Sequence, residues 1–355
     1  MESTLAVADD ELFDLHLALD ASGARRDHPE RPERLLAARA ALHAVDGLTP
    51  LNLAPRDATL DELNRVHQAA YLSDLELRRG GRGQLDADTY FSEASVGAAH
   101  RAAGGAIALV DALLDGQAAF GLGLLRPPGH HARPSGAMGF CLLNNVAVAA
   151  AHAVARGVER VMIFDWDVHH GNGTQEVFYG DPRVLYASVH QAPFYPGTGA
   201  ISEVGTGDGH GYTVNLPLGA GADTATYQEA VRQLFAPVLA EFDPELLLIS
   251  AGFDAHQRDP LANMDLTADA YAAMVNALRS AWPHDSRGRL ALMLEGGYDL
   301  EGLETSLCAT LSCLSAAPSS AAASTPSPEA NATLSAAHQR QLELARKQAA
   351  QAWRV

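Results

Sequence analysis

The sequence predicts a single α/β domain of three layers, in which helices cover both faces of a central, mostly parallel sheet. Two observations support this prediction. Short apolar runs alternate with amphipathic helices from residue 1 to about residue 315, which is the pattern of parallel sheets. The 355 residues are 47% hydrophobic and 19% charged, a globular composition with enough apolar material for a large core.

The predicted strands are short, apolar and bounded by Gly, Pro or Asp: Leu122–Leu125, Val161–Phe164, Val184–Val189, Leu246–Ile249 and Leu290–Leu294. Helices are predicted between them. The Ala/Val-rich segment Asn145–Arg156 is followed by Gly157, a residue typical of helix C-termini. In Thr224–Phe242 the apolar residues have helical spacing, and Pro237 predicts a kink. Thr267 is the predicted N-cap of a helix that runs to about residue 280.

The C-terminal part of the chain has a different composition. Residues 316–333 are low-complexity Ala, Ser and Pro, which predicts a linker between a main domain at 1–315 and a terminal segment at 334–355. Leu334–Trp353 regains helical character, with Leu342, Leu344 and Trp353 as apolar anchors. We expect this helix to dock on the domain or on a partner subunit, and a frayed, solvated helix is the alternative.

The net charge of -18 comes from 43 acidic and 25 basic residues. Such a surface repels phosphates, so direct nucleic-acid binding is not expected. Three cysteines without a CxxC pair cannot build a disulfide framework in a chain of this length. The acidic N-terminus does not resemble a signal peptide, and no apolar run approaches the ~20 residues of a membrane span. We therefore expect a soluble, cytoplasmic protein with no membrane association.

Unusual polar motifs come directly after four of the predicted strands. RPPGHHA follows the first strand, DWDVHHGNG the second, AGFDAHQRDP the fourth and EGGY the fifth. In open parallel sheets, ligands bind outside the carboxyl ends of the strands. Four such loops would bring their side chains into one crevice, which indicates an active site.

The DWDVHHGNG motif predicts a metal site. Asp165, Asp167 and His169 alternate, so they face one side of an extended strand end. Carboxylate oxygen together with imidazole nitrogen suits Zn²⁺ or a similar ion. A lone D-x-H pattern more often consists of an N-capping Asp and a loop histidine without a metal. Here the following Gly-Asn-Gly allows the backbone to turn sharply beneath a ligand, which favours the metal site. Asp254 would complete the shell and leave one or two positions open, as a catalytic zinc needs.

A tandem histidine pair could supply the proton transfer that such a site needs. Two carboxylate ligands cancel the charge of the ion, so we expect a separate general base. His130 and His131 follow a rigid Pro-Pro-Gly turn, and Asp165 and Asn172 are candidate acceptors for their far nitrogens. Standing alone, adjacent histidines would more often belong to a solvated loop; beside a metal crevice, proton transfer is favoured.

Three aromatic residues are candidates for substrate contact. Tyr298, after Glu-Gly-Gly, could donate a hydrogen bond to an oxyanion without adding charge. Phe140 and Tyr195 could wall a slender aliphatic substrate, although aromatic residues more often belong to the core. No GxSxG, Walker A or GxGxxG-plus-acid motif is present, which excludes serine-hydrolase, NTPase and dinucleotide-binding interpretations.

Six ordered motifs resemble the zinc-dependent histone deacetylase family of the arginase–deacetylase fold: RPPGHHA, MGFCLLNN, DWDVHHGNGTQ, PGTG, SAGFDAHQRDPL and EGGYDL. The early HPERPERL and the residue Asn172 resemble the class II and bacterial deacetylase-like amidohydrolase branch. The resemblance covers roughly residues 10–315. It implies hydrolysis of acylated lysine peptides or small acylated amines without a covalent intermediate. Whether the protein forms a homo-oligomer stays open.

The resemblance also implies roles for individual residues. One catalytic zinc falls on Asp167, His169 and Asp254, the histidine pair on His130 and His131, and the oxyanion contact on Tyr298. The walls of the substrate tunnel fall on Gly139, Phe140, Tyr195 and Leu261. At the position of Tyr195 the family commonly has Phe. Structural K⁺ would bind at two sites, the first formed by Asp165, Asp167, His169, Ser188 and Val189, and the second by Phe178, Asp181, Val184 and Tyr212.

Three alternatives stay open. An arginase-type ureohydrolase shares the fold but needs two metals and more Asp ligands than the spacing supplies. A catalytically silent acyl-binding module would be indicated by loss of Tyr298 or of a metal ligand, and neither is lost. A deacetylase of small amines such as polyamines would keep every catalytic residue. The family's polyamine-selective members have Glu directly after the Asp-Pro of the metal loop, where this chain has Leu261, so acyl-lysine is favoured.

Overall fold

The computed structural model describes residues 3–283, 289–316 and 334–355. Within these ranges there are ten strands: β1 (Ser3–Ala8), β2 (Leu48–Asn52), β3 (Gly83–Gln84), β4 (Tyr90–Phe91), β5 (Phe120–Gly123), β6 (Val161–Asp165), β7 (Val184–Gln191), β8 (Thr213–Leu218), β9 (Leu246–Ala251) and β10 (Leu290–Leu294). Eight of them form one sheet in the order β2-β1-β5-β10-β9-β6-β7-β8, and every pairing in it is parallel. The short strands β3 and β4 form a separate antiparallel pair.

Eleven α-helices lie in the described ranges: α1 (Glu33–His43), α2 (Leu60–Leu63), α3 (Ala69–Leu77), α4 (Ser95–Leu114), α5 (Asn145–Ala155), α6 (Asn172–Phe178), α7 (Thr224–Ala230), α8 (Ala236–Phe242), α9 (Ala268–Ala281), α10 (Leu300–Ser315) and α11 (Ala336–Ala349). The strands β5, β6, β7, β9 and β10 are buried along their whole length. Strands covered on both faces need continuous apolar runs, which is why the sequence shows those segments so clearly.

The predicted α/β class and the parallel sheet are confirmed, and four of the five predicted strands match β6, β7, β9 and β10. The first prediction, Leu122–Leu125, is displaced. The strand itself is Phe120–Gly123, and Leu124 and Leu125 lie beyond it but remain buried. The apolar run therefore continues past the last residue that is paired in the sheet. For this reason the sequence pattern places the strand two residues too late in the chain.

Three strands of the main sheet were not predicted. In β2, an edge strand, Pro50 interrupts the apolar pattern, and an edge position tolerates a residue that has no amide hydrogen. The other edge strand, β8, contains Asn215 and Pro217 and is similarly hard to recognise. The buried β1 lies at the N-terminus, where its short apolar stretch precedes an acidic segment.

The predicted helices are present with small changes. Gly157 follows α5 with φ +91°, a left-handed conformation that favours glycine at a helix end. Thr267 is the N-cap position of α9, although its side chain makes no capping hydrogen bond. The irregularity predicted at Pro237 takes the form of a π turn over Val231–Phe235, between α7 and α8.

The C-terminal helix α11 lies against β8 and the π turn. Leu342, Ala345 and Ala349 are buried at i, i+3 and i+7, which places them on one helix face. The indole N–H of Trp353 donates to the carbonyl of Gly211 at 2.8 Å. Leu344 is 50% exposed, so its prediction as an anchor is wrong: two residues from Leu342, it points away from the buried face.

The predicted linker at 316–333 lies outside the described residues except for Ala316. Over the ranges that the structure describes, no helix combines the length and the apolarity needed to cross a membrane.

Candidate active site

The four polar motifs come together because their strands are neighbours. In the sheet, β5, β10, β9 and β6 are consecutive and parallel, so their carboxyl ends lie side by side. The loops that follow these strands contain the histidine pair, the tyrosine and the two aspartate motifs. The convergence expected from the sequence therefore has a direct cause in the strand order.

Asp167, His169 and Asp254 form a compact cluster, in which one potential ligand atom of each residue lies within 4.8 Å of the others. Nδ1 of His169 is 3.1 Å from Oδ1 of Asp167 and 3.1 Å from Oδ2 of Asp254. Both aspartates are almost completely buried. Among the described residues this is the one group of three or more His, Cys, Asp or Glu side chains with metal-binding geometry.

The surrounding backbone shapes this cluster. The amide of Gly296 donates to Oδ2 of Asp167 at 2.8 Å, and that of Val168 donates to Oδ1 of Asp254 at 2.9 Å. A Cβ atom on Gly296 would lie 2.1 Å from Oδ2 of Asp254, so only glycine fits there. Two anchored carboxylates and an imidazole facing one point are a ligand set that suits zinc, and the residues present therefore fit the metal.

Charge balance in the cluster supports the same conclusion. Burial opposes protonation of His169, but the carboxylates of Asp167 and Asp254 outweigh it and raise the pKa of His169 to about 10. A divalent cation that takes the place of this proton would satisfy the same carboxylates, and the imidazole must be neutral to act as a ligand.

The histidine pair lies beside the cluster with two different partners. Nδ1 of His130 is 3.1 Å from Oδ2 of Asp165, and Nδ1 of His131 is 2.8 Å from Oδ1 of Asn172. These are the acceptors that the sequence suggested. The imidazole rings are 4.0 Å apart between centroids, and both residues are buried.

The two histidines differ in charge preference. Burial disfavours the imidazolium of His130, but Asp167 and Asp165 outweigh it and hold the pKa of His130 well above its usual range. Burial and the neighbouring His130 and His169 hold the pKa of His131 well below its usual range. The surroundings therefore favour the charged form of His130 and the neutral form of His131.

Glu295 is a site residue that the sequence analysis did not single out. Its Oε2 accepts from the amides of Gly129 at 2.6 Å and His130 at 3.1 Å, and so joins the EGGY loop to the histidine loop. Burial raises the pKa of this carboxyl to about 7. The available signal was the acidic residue at the buried end of a predicted strand, where a carboxylate needs specific partners.

One pocket is lined by the two histidines, by Tyr298 and by all four predicted tunnel residues: Gly139, Phe140, Tyr195 and Leu261. The ring of Tyr195 lies edge-on to His131 at 5.2 Å, and that of Phe140 lies edge-on to Tyr298 at 6.1 Å. A Cβ atom on Gly139 would lie 2.4 Å from Cδ2 of His131, and this glycine has φ +56°. Glycine at this position lets the tunnel wall approach the histidine.

Asp88 lines the same pocket and was also missed. Its Oδ1 accepts from the amide of Gly139 at 3.2 Å and from the hydroxyl of Thr89 at 2.9 Å. It belongs to the segment before β4, which is distant in the chain from every strand of the main sheet, so strand-end reasoning could not find it.

The residues assigned to potassium lie around β7. Asp165 is paired with Ser188 across β6 and β7, and Oγ of Ser188 is 2.9 Å from Nδ1 of His190. The residues of the second set lie near the start of β7: Phe178, Asp181, Val184 and Tyr212. The carbonyls of Phe178 and Tyr212 already accept backbone hydrogen bonds at 3.1 and 2.9 Å, respectively.

Comparison with known proteins identifies the family. The model of the histone deacetylase domain matches residues 28–314, most of the chain. The chain belongs to the histone deacetylase family. A probable deacetylase of Archaeoglobus fulgidus is 42% identical over 278 residues, which are 78% of this chain and 77% of the relative. Human polyamine deacetylase HDAC10 is 43% identical over 303 residues, 80% of this chain and 44% of that protein.

The fold agrees with the family assignment. The crystal structure of the HDA15 HD domain superimposes with a TM-score of 0.87 at 37% identity and covers 99% of this chain and 96% of its own. The predicted arginase–deacetylase architecture of this histone deacetylase family member is thereby confirmed. Membership in this family decides against the arginase-type ureohydrolase alternative.

Proposed function

We propose that this histone deacetylase family member is a zinc-dependent amidohydrolase that removes acetyl or other acyl groups from lysine side chains or similar slender amides. The observation that supports it most is the cluster of Asp167, His169 and Asp254, because its His169 lines one pocket together with two histidines of opposite charge preference. Two titratable groups whose surroundings push their pKa values apart are typical of active sites in which one group acts as an acid and the other as a base.

Zinc held by Asp167, His169 and Asp254 would polarise the amide carbonyl and acidify a water molecule. His131 is the proposed general base. Because its Nδ1 faces the oxygen of Asn172, Nδ1 carries the proton and Nε2 is free to accept one. His130 stays an imidazolium against Asp165 and stabilises negative charge that develops nearby. A protonated histidine then delivers the proton to the leaving amine.

Tyr298 and the aromatic walls complete the proposed mechanism. Burial and the nearby Asp254 hold the pKa of Tyr298 well above its usual range, so the phenol keeps its proton and can donate to an oxyanion. Phe140 and Tyr195 would enclose the aliphatic chain of the substrate. No nucleophilic side chain has a role in this mechanism, and hydrolysis by water leaves no covalent intermediate.

Structural potassium is a further part of the proposal and rests on the family resemblance. One ion would lie at Asp165, Asp167, His169, Ser188 and Val189, and the other at Phe178, Asp181, Val184 and Tyr212, largely on backbone oxygens. K⁺ in place of Na⁺ should then raise the melting temperature of the protein, and equal melting temperatures in both salts would count against these sites.

The metal assignment is tested with Asp254→Ala, which should abolish both zinc binding and turnover of an acetyl-lysine peptide. Metal analysis of the unmodified protein should find one zinc per chain. Asp265→Ala removes an exposed aspartate from the same part of the chain and should leave zinc and turnover unchanged. Two essential ions, or turnover by a metal-free Asp254→Ala protein, would refute the mononuclear mechanism.

A second candidate substrate is an acetylated polyamine. Asp88 places a carboxylate in the pocket that also contains Leu261, and one relative is a polyamine deacetylase. The preference for acyl-lysine predicts a higher kcat/KM for an acetyl-lysine peptide than for acetylputrescine, and Leu261→Glu should move the ratio towards the polyamine. If the unmodified protein prefers acetylputrescine about tenfold, or ~1.4 kcal/mol, Leu261 does not determine the substrate preference. Loss of that preference in Asp88→Asn would then assign it to Asp88.

A further inference from the structure

The HPERPERL motif has no part in the mechanism above, yet it contributes a completely buried charged cluster. Glu30, Arg34 and Arg126 are each 0% exposed. Charged side chains are seldom found at this depth unless they are paired, and removing one member of such a set leaves the others uncompensated. The position of this cluster, directly beneath the catalytic loops, indicates a purpose beyond general stability.

Glu30 lies at the centre of the cluster. Its carboxylate accepts from Nε and Nη2 of Arg126, the second at 2.7 Å, and from Nη1 of Arg34 at 3.3 Å. The hydroxyl of Tyr90 donates to the same group at 3.1 Å. Although burial opposes ionisation, Arg126 and the other cationic neighbours hold the pKa of Glu30 well below its usual range. Glu30 is therefore an anion that two guanidinium groups share.

Arg34 links this anion to the loop that contains Tyr298. Its Nε donates to the carbonyl of Gly297 at 2.7 Å, and its Nη2 donates to the carbonyl of Glu295. Its Cζ lies 5.1 Å from the centroid of the Tyr298 ring. The planar guanidinium thus holds both carbonyls that flank Gly296 and lies over the face of the tyrosine, a set of contacts that an ammonium group could not reproduce.

Arg126 links the same anion to the histidine loop, because it is the first residue of RPPGHH. The far end of that loop returns to EGGY, where the amides of Gly129 and His130 donate to the side chain of Glu295. The contacts therefore form a closed ring that joins the histidine loop to the tyrosine loop, with Glu30 at the point where the two arginines meet.

We infer that Glu30 is a positioning residue, which orients Arg34 so that Tyr298 is held in place opposite the histidine pair. Without the carboxylate, two buried guanidinium groups would face each other and Arg34 would lose the group that aims it. This inference rests on the proposed role of Tyr298 as the oxyanion donor. A misplacement of about 1 Å from a residue remote from the chemistry can cost ~10²-fold in rate.

Two variants test the inference, and a third is the control. Glu30→Gln removes the negative charge of the cluster. Arg34→Lys keeps the buried cation, but an ammonium group cannot bond to the carbonyls of both Glu295 and Gly297. This second variant still tests the inference if Glu30→Gln fails to fold. Both should lower kcat by roughly 10- to 100-fold with little change in KM. Arg39→Lys alters another arginine of α1, whose partners are Asp9 and Asp14, and should leave kcat unchanged.

The decisive measurement repeats Glu30→Gln and Arg34→Lys in a Tyr298→Phe background, with zinc content and melting temperature recorded for every protein. If Glu30 acts through the tyrosine hydroxyl, most of the loss in kcat should disappear once that hydroxyl is absent. Full, multiplicative losses in that background would overturn the inference while leaving the proposed function intact. Normal turnover by Tyr298→Phe alone would overturn both the inference and the role proposed for Tyr298.

Discussion

Asn172→Asp should raise the pKa of His131, the histidine of the pair whose neutral form is favoured. In the unmodified protein, Nδ1 of His131 lies 2.8 Å from the amide oxygen of Asn172, whereas Nδ1 of His130 lies 3.1 Å from a carboxylate oxygen of Asp165. After the substitution both histidines would face a carboxylate. His130 with Asp165 is therefore the reference, within the same protein, for the expected effect on His131.

The magnitude follows from this geometry. Burial and two neighbouring histidines lower the pKa of His131, while burial of His130 is outweighed by nearby carboxylates that raise its pKa. An opposite charge within hydrogen-bonding distance typically shifts a pKa by ~1–3 units, each worth ~1.4 kcal/mol. We expect the pKa of His131 to rise by that amount. A general base must be unprotonated, so activity is lost as the pH falls through its pKa, and the acid limb should move ~1–3 units towards higher pH.

The assay is the pH dependence of kcat/KM for an acetyl-lysine peptide, with zinc content measured at each pH. Asn172→Ser removes the same amide without adding a charge, so it should reduce the rate without moving the acid limb upward. An acid limb that stays in place, or moves to lower pH, in a folded and zinc-loaded Asn172→Asp protein would refute the assignment of His131 as the base.

Three further predictions concern the catalytic residues and the C-terminal helix. His131→Ala should lower kcat more than His130→Ala does, because a neutral base is lost; kinetics that give equal losses or the reverse order would remove this assignment. Tyr298→Phe should lower kcat by ~10²–10³ with folding and zinc content intact, and near-normal turnover would place the hydroxyl outside the transition-state contacts. Leu342→Ala should lower the free energy of unfolding by ~2.7–5 kcal/mol, whereas Leu344→Ala should change it by no more than ~0.5 kcal/mol; similar urea midpoints for both variants would contradict the packing of α11.

The centre of the sheet was predictable because burial on both faces imposes one simple pattern. β6, β9 and β10 each begin with an apolar run of four or five residues, and Asp, Gly or Glu-Gly-Gly follows soon after, so both the strands and the start of each loop show in the sequence. At the edges the constraint is weaker. There β2 and β8 contain proline and polar residues, and their identity as strands depends on partners distant in the chain.

Predicting the terminal helix succeeded only in part, for a related reason. Leu342 and Leu344 are the same residue type on one helix, yet the first is buried and the second is half-exposed. The small residues Ala345 and Ala349 complete the buried face, and a search for large apolar anchors passes over them. Helical spacing is a better guide than residue size where a helix packs closely on a strand.

Site residues were predictable where position in the sheet implied chemistry. Asp167, His169 and Asp254 belong to loops after neighbouring strands, so their meeting follows from the fold class. Glu30 is different, because it lies almost 100 residues from Arg126 in the chain and comes before α1. A contact at that separation has no local pattern, and only the packed structure shows which buried charges share a partner.

The lining of the pocket illustrates the same limit and has a consequence for substrate specificity. Taken as a single position in the sequence, the apolar Leu261 predicts a preference against a cationic substrate. In the folded protein it shares the pocket with Asp88, which comes from a segment more than 150 residues earlier. Substrate charge is recognised by the combined field of all groups that line the pocket, so one apolar residue cannot exclude a cation while a carboxylate lines the same pocket. The choice between acyl-lysine and acetylated polyamine therefore depends on Leu261 and Asp88 together, and variants at both positions are needed to decide it.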